Sequence, residues 1–134
     1  MAEPLFSIII PCYNQASFLP DCIESILSQS FQDWEALIIN DGSTDHTASV
    51  ASDFAVQDAR IFLVQKENGG LSSARNAGIR AASGNRLLFL DADDFLREGC
   101  LQAIAEATKK CDDSTLIQYG YSYITEDKSL SLIH

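Results

Sequence analysis

The sequence predicts an α/β protein built around a mostly parallel sheet. Short apolar runs of strand length alternate with stretches whose apolar residues recur at helical spacing. Four of the runs end in polar or glycine-containing segments. The 134 residues, 46% of them apolar and 21% charged, are enough for one globular domain with a single core. Alternation of this kind favours right-handed crossovers between strands that run in one direction.

The first half of the chain contains three predicted strands and two predicted helices. The strands span Phe6 to Cys12, Trp34 to Asn40 and Arg60 to Gln65, because each is a short run rich in apolar residues. The first helix runs from about Ser17 to Gln29. The second ends near Gln57, and Ser43 or Thr44 is its predicted N-cap.

The second half begins with a glycine-containing loop and continues the alternation. The apolar run at Leu87 to Leu90 predicts a fourth strand that is buried on both faces. The other predicted elements are a loop at Lys66 to Ser73, helices at Ser73 to Ala82 and Glu98 to Lys109, a strand at Leu116 to Thr125, a turn at Glu126 to Lys128 and a short strand ending at Ile133.

Three carboxylates, those of Asp91, Asp93 and Asp94, directly follow the fourth predicted strand. Neighbouring carboxylates repel one another, and a divalent cation or a hydrogen-bonding ligand offsets that repulsion. Because all the donors are oxygens, the expected ion is Mg²⁺ or Mn²⁺. The alternative interpretation is an Asp-rich polar turn, since Asp is favoured in turns.

Four special segments follow four different strands. In open α/β sheets, ligands bind beyond the carboxyl ends of the strands. We therefore expect one cleft to be lined by Pro11 to Asn14, Asp41 to Asp45, Asn68 to Ser73 and Asp91 to Asp94.

Individual residues in these segments have alternative roles. Asp41 is interpreted as a ligand contact, whereas Ser43 and Asp45 are interpreted as helix caps. Tyr13 could stack on a nucleobase or simply pack against the protein. Arg75 could bind a phosphate, pair with Asp41 or be an exposed helical arginine.

The composition excludes several classes of partner and site. A net charge of −10 argues against nucleic acid or an anionic membrane surface as the main partner. No run approaches transmembrane length, and the N-terminus does not resemble a signal peptide, so we expect a cytoplasmic protein. The dinucleotide-binding glycine pattern and the P-loop are both absent. The four cysteines are predicted to be buried free thiols, with a disulfide between a distant pair as the alternative; they are Cys12, Cys22, Cys100 and Cys111.

Four segments together resemble the family 2 glycosyltransferases, which are inverting enzymes with the GT-A fold. In order, they are Ser7 to Asn14, Asn40 to Asp45, Asn68 to Gly78 and Leu90 to Asp94. The resemblance implies a Rossmann-like three-layer α/β/α fold. It also implies a nucleotide-diphosphate-sugar donor, preferably a UDP-sugar, and Mg²⁺ or Mn²⁺ as cofactor.

The resemblance also implies roles for site residues. Asp93 would coordinate the ion, Asp91 would approach the ribose or sugar, and Asp41 would hydrogen-bond the base. Arg75 would support the nucleotide. The other nucleotide-sugar-binding positions implied are Pro11, Tyr13, Asn14, Asn68, Gly70 and Ala92.

One part of the family pattern has no match, because no residue can be assigned as the general base of inverting transfer. We therefore expect residues 1–134 to be one donor-binding domain, C-terminally incomplete and lacking the acceptor part, with weak or no turnover alone. By analogy, the acceptor would be a glycan or lipid-linked molecule in polysaccharide synthesis at the cytoplasmic face of a membrane. Exposed strand edges could promote association into oligomers.

Two other functions compete with this one. The first is a non-catalytic module that only binds nucleotide sugars. The second is a haloacid-dehalogenase-like phosphatase, because its nucleophile motif is also an apolar strand followed by Asp-x-Asp. That motif normally opens its domain, and here only a short stretch follows Asp94.

Overall fold

The computed structural model describes residues 4–109 and the backbone of two later strands, at 121–124 and 130–133. The elements, in chain order, are β1 (Phe6–Cys12), α1 (Leu19–Leu27), β2 (Trp34–Asp41), α2 (Thr47–Gln57), β3 (Ile61–Lys66), α3 (Leu71–Ala81), β4 (Arg86–Phe89), α4 (Cys100–Thr108), β5 (Tyr121–Ile124) and β6 (Leu130–Ile133).

The main sheet has the strand order β3-β2-β1-β4, and every neighbouring pair is parallel. This arrangement confirms the predicted α/β class with a mostly parallel sheet. Strands β5 and β6 form a separate antiparallel pair. The predicted turn between them, at Glu126 to Lys128, lies outside the described residues, as does Cys111.

The larger core lies on one face of the sheet. Every residue of β1 and β2 is buried, so the strands that begin the chain form the centre of the sheet. Alternate β1 residues such as Ile8 and Ile10 pack with Ile23 of α1, Ala51 of α2 and Leu101 of α4. Helices α1, α2 and α4 therefore form the layer on this face.

Helix α3 covers the opposite face, where Ile9, Leu37 and Ile39 pack against Ala74. This helix lies very close to the sheet. A Cβ atom added at Gly78 would sit 2.4 Å from Cγ2 of Ile9. The three layers of the fold are thus α1, α2 and α4, then the sheet, then α3.

The prediction that the fourth strand is buried on both faces is wrong. Leu88 and Leu90 are each 7% exposed, but Leu87 is 40% exposed and Phe89 is 36% exposed. Strand β4 lies at the edge of the four-stranded sheet, and α3 packs mainly over β1 and β2. One face of β4 therefore receives less cover from α3 than the central strands do.

A buried polar network ties the amino ends of the strands together. The carboxylate of Glu35 accepts hydrogen bonds from the Ser7 hydroxyl at 2.5 Å and from the Ser83 amide at 2.7 Å. The amide of Gly84 donates to the Ser7 hydroxyl at 2.7 Å. This network fixes the turn between α3 and β4 at the end of the sheet opposite the predicted cleft.

The bounds of β1 agree with the predicted ones, and those of the elements from α1 to α4 differ from them by at most three residues; the predicted start of the fifth strand, Leu116, lies outside the described residues. Helix α1 is shorter at both ends than predicted, and α3 begins at Leu71, two residues early. Within the described part of the chain, no helix combines the length and the apolar character needed to cross a bilayer.

Candidate functional site

Asn14 links the loop after β1 to the loop after β2. Its backbone is left-handed, with φ at 51°, a conformation that asparagine tolerates better than most residues. Its amide donates to the Ser43 hydroxyl at 3.0 Å, and its side-chain oxygen accepts from the amides of Thr44 and Asp45 at 2.8 and 3.3 Å. These bonds bring together the first two of the four predicted segments.

Helix α2 begins one turn later than the predicted cap. The N-cap residue is His46, so the assignment of Ser43 or Thr44 as N-cap is wrong. Asp45 does serve the start of the helix, because its carboxylate accepts from the Thr47 amide at 2.9 Å. The hydrogen bond from the Thr47 hydroxyl is the main cause that lowers the pKa of Asp45.

Asp41 lies at the end of β2 and organises the loop that follows β3. It is 4% exposed, and its carboxylate accepts from Lys66 Nζ at 2.7 Å and from the amides of Gly69 and Gly70 at 2.9 Å each. The side-chain amide of Asn68 donates to the Asp41 carbonyl at 2.9 Å. Burial alone would raise the pKa of Asp41, but the bonds from Lys66 and the two glycine amides hold it below its ordinary value.

The two loops meet so closely that a side chain is excluded at Gly42. Its φ is +72°, and an added Cβ would lie 2.6 Å from the backbone nitrogen of Asn68. Gly70 is also left-handed, with φ at +94°, and it is the N-cap of α3. Glycine at these positions lets the loop fold over Asp41.

The three aspartates after β4 are gathered by a tight turn. One carboxylate oxygen from each of Asp91, Asp93 and Asp94 lies within 4.8 Å of the others. The turn is closed by the Asp94 amide, which donates to the Asp91 carbonyl at 3.0 Å. Ala92 is fully buried in the main core, so the turn is anchored from below while the carboxylates stay exposed.

The electrostatics of this cluster suit a cation. The pKa of Asp94 is raised above its ordinary value, mainly by desolvation and further by the charges of Asp93 and Asp91. A divalent ion among these oxygens would remove the repulsion, and carboxylate oxygens are the donors that Mg²⁺ and Mn²⁺ favour. The residues present therefore fit such an ion.

Arg75 lies on the first turns of α3, beside the aspartate cluster. Its NH2 nitrogen is 4.0 Å from Asp91 Oδ1, and the side chains of Arg75 and Asp91 are 42% and 47% exposed. The Nε atom of Arg75 is buried and has no hydrogen-bond partner among the described residues. The pairing of Arg75 with Asp41 is not found, because Lys66 bonds to Asp41. Arg75 faces Asp91 instead.

The remaining predicted residues lie along the same edge. Pro11 is buried within β1, where it pairs with Ile39 of β2, and Tyr13 follows it with 47% of its surface exposed. Cys12 and Cys22 are buried free thiols, as predicted, and Cys100 is a free thiol that is only half-buried. Burial, followed by the charge of Asp45, raises the pKa of Cys12 to about 11, so this thiol stays neutral near pH 7.

Lys66 is the site residue that the sequence analysis did not identify. It ends β3 directly beside Asp41 in the register of the sheet. Its position at the end of an apolar strand is the feature that could have marked it as a site residue, as it did for Asp41. The pairing of the two residues depends on strand order and register, which a single sequence does not give.

Comparison with known proteins identifies relatives for nearly the whole chain. Residues 7–132 match the family model described as Glycosyl transferase family 2. The chain is 44% identical over 107 residues to the "Uncharacterized glycosyltransferase EpsJ" of Bacillus subtilis (strain 168). The alignment covers 80% of this chain and 31% of EpsJ.

Two solved structures share the fold. The S. aureus protein TarS in complex with UDP aligns with a TM-score of 0.73 and 27% identity, over 78% of this chain and 32% of that one. The mannosyltransferase PcManGT from Pyrobaculum calidifontis, in complex with GDP-Man and Mn²⁺, aligns with a TM-score of 0.66 and 25% identity, over 81% of this chain and 32% of that one. The alignments thus cover about a third of EpsJ, of TarS 1–349 and of PcManGT, and 19% of the longer TarS chain.

Proposed function

This chain belongs to glycosyl transferase family 2, and from that premise we propose that it binds a nucleotide-diphosphate sugar at the carboxyl edge of its sheet. In the whole protein, the sugar is transferred to an acceptor hydroxyl with inversion at the anomeric carbon. The 134 residues form the donor-binding domain, and a UDP-sugar is the favoured donor. The support for the donor class is that TarS binds UDP and UDP-GlcNAc and that PcManGT binds GDP-Man.

The observation that carries the proposal is the gathering of three carboxylates within 4.8 Å of one another at the end of β4. Asp93 is the proposed ligand of a Mg²⁺ or Mn²⁺ ion, with Asp91 and Asp94 beside it. Bound there, the ion would neutralise charge on the departing nucleoside diphosphate. The presence of Mn²⁺ in PcManGT supports this assignment.

The other residues of the edge bind and orient the nucleotide sugar in this proposal. Pro11 and Tyr13 line the base pocket, and Asp41 hydrogen-bonds the base. Arg75 supports the nucleotide and holds Asp91, which approaches the ribose or sugar. The remaining proposed contacts are Asn14, Asn68, Gly70 and Ala92.

Asp41 is the residue whose proposed role is most constrained by its contacts. Both of its carboxylate oxygens already accept hydrogen bonds from Lys66, Gly69 and Gly70. Oδ1 accepts two of these bonds, from Lys66 and Gly69, so both of its lone pairs are used. Oδ2 accepts from Gly70 at 2.9 Å and from Asn68 only at 3.5 Å, so Oδ2 is the oxygen with room for a bond from a base edge. The lowered pKa keeps this acceptor ionised at neutral pH.

Calorimetric titration tests the proposal. We expect the chain to bind UDP, UDP-GlcNAc or GDP-Man in the presence of Mn²⁺, and much more weakly in EDTA. Replacing one carboxylate of the cluster, in Asp93→Asn, should weaken Mn²⁺-dependent binding by about tenfold or more, the effect of losing a charged ligand.

Asp53→Asn is the matched control. Asp53 is an exposed carboxylate on α2, so its replacement changes the net charge equally and leaves the cluster intact. Equal binding by wild type and D93N, or equal losses in D93N and D53N, would contradict the proposal. Binding without any transfer, when the whole protein is supplied with acceptors, would favour the non-catalytic binding module.

A further inference from the structure

A polar stripe runs along one face of α1 and continues just past the end of the helix. Cys22 and Ser25 lie three residues apart on the helix and so on one side of it, and Gln29 follows two residues beyond the last helical residue, Leu27. Cys22 and Gln29 are buried, and Ser25 is half-buried. The stripe faces the segment 91–101, which leaves the aspartate cluster and has no regular structure before α4 begins at Cys100. The polar atoms of such a stripe need partners.

Each member of the stripe bonds to the backbone of that segment. The Cys22 thiol lies 3.8 Å from the Asp91 carbonyl, the same oxygen that closes the aspartate turn. The Ser25 hydroxyl accepts from the Leu96 amide at 2.9 Å and donates to the Cys22 carbonyl at 2.6 Å.

Gln29 makes the firmest attachment. It is 2% exposed, and its side chain donates to the Arg97 carbonyl at 2.8 Å and accepts from the Leu101 amide at 3.1 Å. Gly99, the N-cap of α4, has no side chain, so Gln29 supplies the bond that a capping side chain normally makes. The contacts therefore follow the segment in order, from the aspartate turn to the start of α4.

We propose that the stripe Cys22, Ser25 and Gln29 positions the aspartate cluster, and that Ser25 and Gln29 are positioning residues for the cation bound there. The inference rests on the proposed function, because it assigns a purpose to the placement of Asp93. The segment between the cluster and α4 has no strand or helix of its own to hold it. Bonds to Cys22 and Ser25 of α1 and to Gln29 just after it replace that support and fix the turn relative to the sheet.

The required accuracy explains why such support matters. A ligand or catalytic group has to be held within about 0.5 Å of its productive position. The buried methyl of Ala92 holds the turn in the core, and the stripe holds the chain at Asp91 within the turn and at Leu96, Arg97 and Leu101 beyond it. Loss of one bond should leave the fold intact and let the carboxylates spread.

The test compares two serines, Ser25 (half-buried) and Ser7 (buried), whose hydroxyls each bridge two partners in different places. In Ser25→Ala, the chain loses a hydroxyl that bridges the Cys22 carbonyl and the Leu96 amide. In the control Ser7→Ala, it loses a hydroxyl that bridges Glu35 and the Gly84 amide, at the opposite end of the sheet. Mn²⁺ affinity is measured by electron paramagnetic resonance of the free ion, and thermal stability is measured in parallel.

We expect S25A to weaken Asp93-dependent Mn²⁺ binding about fivefold, the equivalent of one hydrogen bond, and to speed amide exchange at residues 94–97. The rescue variant Ser25→Thr retains a hydroxyl and should bind Mn²⁺ within about twofold of wild type. S7A should lower the melting temperature while its Mn²⁺ affinity stays unchanged. If S25A does not fold, Gln29→Met removes two of the bonds and carries the same expectation.

The outcomes separate this inference from the proposed function. Mn²⁺ binding that is lost in D93N but unchanged in S25A, or weakened equally in S7A, would overturn the positioning role and leave the proposed function standing. A wild-type chain whose Mn²⁺ binding does not depend on Asp93 would overturn both.

Discussion

Asp41 is a carboxylate that the surrounding residues keep ionised inside the protein. Taking a charge out of water is unfavourable, and here one ammonium group and two backbone amides compensate for it. The side chains of Lys66 and Asp41 are 19% and 5% exposed, so water screens their attraction only weakly. The pair therefore fixes the loop at 66–70 against β2 in the absence of any ligand.

The variant Lys66→Gln tests this pair. We expect the pKa of Asp41 to rise, because Lys66 is the leading cause that opposes burial, and the free energy of unfolding at pH 7 to fall by about 2 kcal/mol. The folded-state pKa of Asp41 lies below its ordinary value of 3.8, so the pair's contribution is complete at neutral pH. It is lost as the pH falls below 3.8 through the lowered pKa, and the gap between wild type and K66Q should narrow there.

The measurements are an NMR titration of the Asp41 carboxyl and urea unfolding at several pH values. Lys109→Gln serves as the control, because Lys109 and Glu106 form an exposed pair with side chains 71% and 56% exposed. Such a pair contributes little, so K109Q should change the stability by less than about 0.5 kcal/mol. A K66Q protein as stable as K109Q would contradict the importance of the buried pair.

For Asp41, the sequence predicts the position but not the contacts. The apolar run before Asp41 predicts that it lies at a strand end, and in the structure it is the buried last residue of β2. Its partner does not follow, since Arg75 and Lys66 are both cations close to the cleft. Only the register of β2 with β3, which sets Asp41 beside Lys66, decides between them.

Helix α3 shows how closely an element can be fitted to the sheet. It presents small residues inward, among them Ala74 and Gly78, and this lets its backbone approach β1. The same helix carries Arg75 to the aspartate cluster. Its distance from the sheet therefore affects both stability and the site.

We expect Gly78→Ala to destabilise the protein by about 1–3 kcal/mol, although alanine is the better helix former, because its methyl group would overlap Ile9. Chemical denaturation measures this loss. Because the Ile9 side chain is what the added methyl would meet, Gly78→Ala should lower the free energy of unfolding much less in an Ile9→Ala background than in the wild type. A double-mutant cycle measures this difference. If the two substitutions lower the free energy of unfolding additively, the close approach to Ile9 is not the cause.

The elements themselves were mostly predictable, and their environments less so. Apolar runs and helical spacing predict every strand of the main sheet and all four helices described, to within a few residues. The burial of β4 was predicted wrongly, because an apolar run does not reveal whether a strand lies at the centre or the edge. The stripe of Cys22, Ser25 and Gln29 is not predicted either, since the sequence assigns Ser25 and Gln29 to a helix as ordinary polar residues and does not show their partners.

The whole molecule is acidic, with a net charge of −10, yet its proposed ligand is a pyrophosphate. Parallel strands bring four loops to one edge, and contacts through Asn14, Asp41 and Arg75 link neighbouring loops there. A divalent cation at the aspartate cluster would reverse the local charge, so anion binding should require it. The alternation of strands and helices along the sequence predicts this convergence, whereas the cation itself is inferred from the chemistry of the aspartates and from relatives.

The most direct test measures the coupling between Mn²⁺ and UDP. We expect Mn²⁺ to tighten UDP binding by at least about fivefold and UDP to tighten Mn²⁺ binding by the same factor, because linkage is reciprocal. The coupling should vanish in D93N and persist in D53N. Independent binding of the two ligands to the wild-type chain, or full coupling in D93N, would contradict the claim that the aspartates hold the cation against the nucleotide.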